Sequence, residues 1–254
     1  MKVCVLSSGS KGNSTYIETN NHKILIDIGN SCAYIEKALR KINVEPKDID
    51  IVLITHSHID HVGGLKVFSK KYKPLIYISN TILEESKLNI ENTNNDKEVN
   101  VISDIIIKSI KLSHDVKDIK GYVIEEENSS AVYITDTGYI SEKIFNEIEN
   151  KNVYIFESNH DVEKLMNNPN YPHQTKIRIL SDKGHLSNKD SAYYLSKIIG
   201  KNTKKIILAH LSEQNNTEEL ALNELKKVLC KKNIDFDNIT VARQNEITEL
   251  VEVW

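Results

Sequence analysis

His56-Ser57-His58-Ile59-Asp60-His61 places three of the chain's nine histidines and one aspartate within six positions. Side chains of an extended segment alternate sides, so His56 and His58 project together, while Asp60 and His61 follow at the turn into a helix. Neutral imidazole and carboxylate together suit zinc, manganese or iron, the carboxylate favouring the harder cations of that group. The plain alternative, a polar surface loop, accounts poorly for so many histidines directly after an apolar run.

Three further residues occupy the same kind of place. His114 in Leu112-Ser113-His114-Asp115, Asp136 in Thr135-Asp136-Thr137-Gly138 and His210 in Leu208-Ala209-His210-Leu211 each end an apolar β-type run, where open α/β sheets put functional groups. Taken singly, such a residue is more often a cap or turn former; three of them, with the cluster, point to one centre. Ser8, Ser10 and Asn13 lie in the glycine- and hydroxyl-rich segment 7–14, which can either offer donors to an anion or simply turn between two strands. His160 and His185 have no ligand partner at standard spacing. His185 can donate to a scissile phosphate or stabilise a leaving oxygen; for His160, substrate contact, structural bonding and auxiliary ligation stand side by side. His22 and His173 read as solvent-exposed. Lys164, Lys176, Arg178 and Lys183 can meet a nucleic-acid backbone if the fold gathers them, and otherwise form an ordinary solvated surface.

Positioning these residues takes an α/β frame. Residues 3–7, 14–18 and 23–27 read as strands, and Ile51-Val52-Leu53-Ile54-Thr55 as a strand buried on both faces that delivers the histidine cluster at its carboxyl end. Further strands are expected at 75–78, 105–112, 122–126, 131–135, 153–157, 206–209, 239–242 and 247–253, with Asn128-Ser129-Ser130 as a hairpin turn. Helices are expected at 34–42, 141–149, 161–166, 189–199 and 217–231, with capping signals at Ser187 (Asp190 three residues on) and Asn216 (Glu219 three residues on). The Asn-rich, acidic stretch 89–100 reads as an exposed loop.

No Pro/Gly/Ser-rich linker interrupts the chain, so 1–254 is expected to be one domain. Hydrophobic residues at 39% and charged residues at 27% indicate a globular protein. A net charge of -3 excludes a protein basic overall but not a local basic patch. Cys4, Cys32 and Cys230 are scattered and odd in number, which predicts buried free thiols rather than disulfides or a cysteine zinc site. No apolar run is long enough for a signal peptide's core or a membrane span, and a cytoplasmic location is expected.

HxHxDH after an apolar strand, followed in order by the His114, Asp136 and His210 positions, resembles the metallo-β-lactamase superfamily. The resemblance implies an α/β fold, a four-layer αββα sandwich, with two divalent metal ions (Zn, Mn or Fe) at one edge. It assigns His56, His58 and His114 to one ion, Asp60, His61 and His210 to the other, and Asp136 to a bridge between them, with a water or hydroxide held there as nucleophile. Ser7-Ser8-Gly9-Ser10-Lys11-Gly12-Asn13-Ser14, Glu157-Ser158-Asn159-His160-Asp161, Tyr171-Pro172 with Lys176-Ile177-Arg178-Ile179, Gly184-His185-Leu186-Ser187-Asn188 and His210-Leu211-Ser212 are similar to the YycJ/WalJ-type branch. That likeness spans nearly the whole chain. Members of the branch are regarded as bacterial DNA exonucleases that degrade from a 5′ end. The likeness implies DNA as substrate, catalytic roles for Asp60, Asp136 and His185, and substrate contacts from Ser8, Ser10, Asn13, Asn159, His160, Ser187 and Asn188. Two alternatives stand beside it: a metallo-hydrolase acting on RNA or on a small ester, thioester or lactone, which fold alone does not separate, and a metal-containing nucleic-acid- or partner-binding protein without catalysis, against which the complete ligand set speaks.

Overall fold

Alternating apolar side chains decide the layers. In the computed structural model, which describes residues 1–253, Ile24, Ile26, Ile51 and Leu53 face a central cluster, whereas Leu25, Val52 and Ile54 face an outer one. Both strands are therefore covered on both sides, as expected for residues 51–55.

The first sheet holds β1 (Lys2–Ser7), β2 (Ser14–Glu18), β3 (Lys23–Ile26), β4 (Ile51–Leu53), β5 (Leu75–Tyr77), β6 (Thr93–Asn94) and β14 (Val251–Glu252), in the order β14-β1-β2-β3-β4-β5-β6. The second holds β7 (Val99–Ile102), β8 (Ile105–Lys111), β9 (Lys120–Glu126), β10 (Ser129–Ile134), β11 (Val153–Glu157), β12 (Lys205–Ala209) and β13 (Ile239–Val241), in the order β13-β12-β11-β10-β9-β8-β7. Each sheet joins antiparallel strands to a parallel half, β3 to β6 in one and β10 to β13 in the other. The sheets share a core in which Val5, Ile17 and Leu53 meet Tyr122, Ile124, Tyr133 and Ile155; each such side chain contributes about 1.5–3 kcal/mol by leaving water.

Helices α1 (Cys32–Lys41), α2 (Ile59–Val62), α3 (Leu65–Tyr72) and α4 (Asn80–Ser86) belong to the first half of the chain, and α5 (Phe145–Ile148), α6 (Val162–Asn167), α7 (His173–Leu180), α8 (Asn188–Ile198) and α9 (Glu218–Lys231) to the second. Residues of α1 and α3 pack on the outer face of the first sheet, and residues of α8 and α9 on that of the second. The architecture is the expected αββα sandwich.

Several local expectations change. Residues 89–100 carry β6 and the start of β7, because backbone pairing tolerates polar side chains and the Asp96 carboxylate finds internal donors in Asn100, Ser109, Lys120 and Tyr122. The hairpin turn is residues 127–128, since Ser129 and Ser130 already pair with Glu126 and Glu125. Only Val251–Glu252 of the expected strand 247–253 pairs with β1. Ser187 caps α8, accepting the Asp190 N–H at 3.1 Å. Thr217 rather than Asn216 caps α9, accepting the Leu220 N–H at 3.2 Å, because the Asn216 Oδ1 already accepts from Asn188 Nδ2 and from the Thr217 N–H. Cys4 and Cys32 are buried free thiols, whereas Cys230 is exposed. His22 is half-buried, 2.8 Å from Asp50, while His173 is exposed. Among the described residues no helix is long and apolar enough to cross a membrane.

Candidate metal centre

At one edge of the sandwich, six strand ends hand polar residues to a common point. Asp27 follows β3, Thr55 and His56 follow β4, His114 follows β8, Asp136 follows β10, Glu157 ends β11 and His210 follows β12. His58 precedes the short helix α2, which carries Asp60 and His61. Asp27, Asp136 and His210 have φ of 61°, 58° and 56°. Left-handed backbone at three non-glycine residues is the kind of local strain found at functional sites. Gly29 lets the centre close up: a Cβ there would lie 1.6 Å from the Asp60 carbonyl oxygen, which also accepts the Asn13 N–H at 2.7 Å.

The expected residues converge. One potential ligand atom from each of His56, His58 and His114 lies within 4.8 Å of the others, and the same holds for the sets His56, His61, Asp136 and Asp60, His61, His210. The two oxygens of Asp136 look in different directions, Oδ2 lying 3.1 Å from His61 Nε2 and Oδ1 3.4 Å from His210 Nε2. Asp60 Oδ2 lies 3.6 Å from His61 Nε2 and 3.8 Å from His210 Nε2.

Behind this set, the second ring nitrogen of His56, His61, His114 and His210 is tied to the protein. His61 Nδ1 is 2.8 Å from Asp27 Oδ2, His210 Nδ1 is 2.9 Å from Glu157 Oε1, and His114 Nδ1 is 3.0 Å from the Gly184 carbonyl oxygen. His56 Nδ1 is 3.0 Å from the Thr55 hydroxyl, which donates to Asp27 Oδ2 at 2.8 Å. Anchoring Nδ1 turns Nε2 towards the common point, the arrangement that orients metal-binding histidines; at His61 that nitrogen lies 3.0 Å from the Asn13 side-chain amide nitrogen. His56 Nε2, His210 Nε2 and Asp136 Oδ2 are buried and have no hydrogen-bond partner.

Charge points the same way. Asp27, Asp136 and Glu157 are buried beside the half-buried Asp60, a concentration of negative charge that stands only if positive charge joins it. Burial opposes protonation of His61, yet Asp136, Asp27 and Asp60 outweigh it and hold its pKa well above the ordinary imidazole range. At His210 burial is likewise outweighed by Asp136, Asp60 and Glu157, which push it up to about 10. Burial would raise Glu157, but His185 and His210 hold it at about 2. Orphaned nitrogens and oxygens, an N/O donor set and buried carboxylates fit divalent cations.

His185 joins the centre, with Nδ1 2.8 Å from Glu157 Oε1 and 3.8 Å from Asp136 Oδ1. Of the seven residues expected to contact substrate, Ser10 alone is exposed. The other six are buried, and five of them have internal partners. Ser8 Oγ accepts the His210 N–H at 2.7 Å. Asn13 locks the first turn, accepting the Gly9 N–H at 2.8 Å and donating to the Gly9 carbonyl at 3.1 Å. Asn159 donates to the His210 carbonyl at 2.9 Å, Ser187 caps α8, and Asn188 accepts from Ser158 Oγ at 2.7 Å. Among the cations, Lys164 and Lys176 spend their ammonium groups on the carbonyls of Asn216 and Met166, Lys183 is exposed, and Arg178 pairs with Asp115.

His160 is buried with neither ring nitrogen hydrogen-bonded, and burial pushes its pKa down from 6.5 to about 4. Above 6.5 the ring is neutral in folded and unfolded chains alike. Below that, the unfolded chain takes up a proton that the folded ring refuses until about 4, so stability is withdrawn as pH falls, by about 3 kcal/mol in all. His160→Leu is therefore expected to narrow the gap in unfolding free energy between neutral pH and about pH 4 by that amount; an unchanged gap in denaturant titrations would contradict a ring kept neutral by burial.

Asp27, Thr55 and Glu157 were not among the expected site residues. The signal was present for two of them: a carboxylate closing an apolar strand run, as Asp136 does.

Comparison with known proteins extends these observations. The family described as Metallo-beta-lactamase superfamily matches residues 8–210. The chain is 39% identical over 248 residues to exodeoxyribonuclease WalJ of Streptococcus pneumoniae serotype 2, covering 92% of each chain. It is 37% identical over 235 residues to exodeoxyribonuclease YycJ of Bacillus anthracis, covering 90% of this chain and 89% of that one. Among solved structures, the metallo-beta-lactamase fold protein YhfI from Bacillus subtilis superposes with a TM-score of 0.71 over 98% of this chain and 99% of that one, at 16% identity, a likeness of fold alone.

Proposed function

The chain belongs to the metallo-β-lactamase superfamily, and from that premise we propose that it is a binuclear metal-dependent phosphodiesterase, a 5′-to-3′ DNA exonuclease of the cytoplasm. The observation that carries the metal-dependent part is the set of buried, partnerless atoms, His56 Nε2, His210 Nε2 and Asp136 Oδ2, inside a complete His/Asp cluster. DNA as substrate is supported by the two relatives named exodeoxyribonucleases, each matched over about nine-tenths of its length.

In this reading His56, His58 and His114 would hold one cation and Asp60, His61 and His210 the other, with Asp136 available to both. Divalent cations bound there activate water, polarise a phosphoryl oxygen and neutralise charge on the leaving oxygen. Asp27 and Glu157 fix the ring orientation of His61 and His210. Asn13 and Ser8 pin the backbone around Asp60 and His210, so their contribution is rigidity of the centre. His185, with Nδ1 held by Glu157, keeps its other ring nitrogen for delivering a proton to the leaving oxygen.

A DNA duplex labelled at the 5′ end in one sample and at the 3′ end in another tests the polarity. Early release of the 5′ label as a small product, with gradual shortening of the 3′-labelled strand, is expected; the reverse pattern contradicts the proposed direction.

A further inference from the structure

We propose that Arg178 grips the backbone phosphate next to the scissile one, with Tyr139 as the surface on which the adjoining base stacks; this rests on the DNA reading above. Asp115 places the guanidinium. Its Oδ1 lies 3.1 Å from His114 Nε2 and 3.5 Å from His58 Nε2, while its Oδ2 takes Arg178 Nη1. Arg178 thus stands one carboxylate away from two candidate ligand atoms. A half-exposed ion pair of this kind adds little to folding stability, so its placement calls for another use. The Arg178 side chain is 50% exposed, and a guanidinium carries five donors, of which Asp115 engages those on one nitrogen. The rest of the planar fork is free for phosphate oxygens.

The supporting backbone is fixed to the centre. The His185 N–H donates to the Ile179 carbonyl at 2.9 Å, and a Cβ on Gly184 would lie 2.1 Å from that same oxygen, so the end of α7 is packed directly on the turn that carries His185. Tyr139 sits three residues beyond Asp136 and is 44% exposed. Thr137 Oγ1 donates to the Tyr139 carbonyl at 2.8 Å. The Gly138 N–H donates to the Ser113 carbonyl at 3.2 Å, and a Cβ on Gly138 would lie 2.1 Å from the Ser181 carbonyl oxygen. The loops bearing His114, Tyr139 and the end of α7 therefore interlock beside the centre. Together they present a cation and an exposed aromatic ring on rigid backbone, the pairing that single-stranded nucleic acid uses for its phosphates and bases.

The test uses the full-length, metal-loaded protein and a phosphorothioate-linked single-stranded oligodeoxynucleotide, with binding followed across a salt series. Arg178→Gln is expected to bind about tenfold more weakly and to flatten the slope of log K against log salt by about 0.7, the loss of one phosphate contact on a single strand. On cleavable DNA its KM rises while kcat and metal content are kept. Arg178→Lys retains the slope. Tyr139→Ala raises KM about tenfold and Tyr139→Phe restores it. An unchanged salt slope in Arg178→Gln, or an effect carried by lost metal, overturns the proposal and leaves the nuclease reading standing. Failure of the wild-type protein to bind the oligodeoxynucleotide at any salt overturns both.

Discussion

Asp136→Asn is expected to lower turnover at least about 10³-fold, a loss of about 4 kcal/mol of transition-state stabilisation, while the chain still folds. The carboxylate is buried and has an oxygen within 4.8 Å of ligand atoms of both His56, assigned to one cation, and His61, assigned to the other, so it is placed to serve both halves of the centre. An amide keeps one oxygen and carries no charge. Asparagine tolerates left-handed backbone better than other non-glycine residues, so a φ of 58° is no obstacle to folding. Steady-state rates at saturating metal, metal content per chain and circular dichroism together check the expectation. Activity within tenfold of wild type would remove Asp136 from the centre of the chemistry.

Glu157→Gln is expected to weaken metal binding by about 10- to 100-fold and to destabilise the fold by about 3 kcal/mol or more. Glu157 Oε1 is 2.8 Å from His185 Nδ1 and 2.9 Å from His210 Nδ1, while Oε2 accepts the N–H groups of Thr137 at 2.9 Å and Leu186 at 3.1 Å. Four donors converge on two oxygens, and a glutamine must turn its NH2 group towards one pair of them. Either way a buried donor loses its acceptor, and both His185 and His210 lose the charge that orients them. Metal titration by calorimetry and denaturant unfolding of the same preparations measure the two effects. Retention of wild-type affinity and stability would show that Glu157 does not organise these rings.

How much of this was legible depended on distance along the chain. The histidine cluster could be read because four candidate ligands share six residues after a strand whose Ile51 and Leu53 face one layer and whose Val52 and Ile54 face the other. His114, Asp136 and His210 could be read because each ends an apolar run. Asp27 and Glu157 end such runs too, but their partners His61 and His210 lie 34 and 53 residues away, and nothing local separates an anchoring carboxylate from a turn former. The direction of a polar side chain is equally invisible: Asn13, in a glycine-rich turn that could face an anion, points inward to Gly9 and Asp60. Helices α3, α4 and α7 span only eight, seven and eight residues, about two turns each and too few to establish a period by themselves, and the burial of Leu65, Phe68, Ile82 and Ile179 holds them in place.

The most direct measurement is to strip the protein of metal and incubate it with end-labelled DNA, end-labelled RNA and a chromogenic lactam or ester, restoring Mn, Mg or Zn one at a time. Metal-free protein is expected to be inert towards all of them, and restored protein to shorten DNA stepwise from its 5′ end. DNA left intact under every metal while RNA or the small ester is cleaved would keep the metal centre and contradict the substrate. DNA cleavage by the metal-free protein would contradict the centre itself.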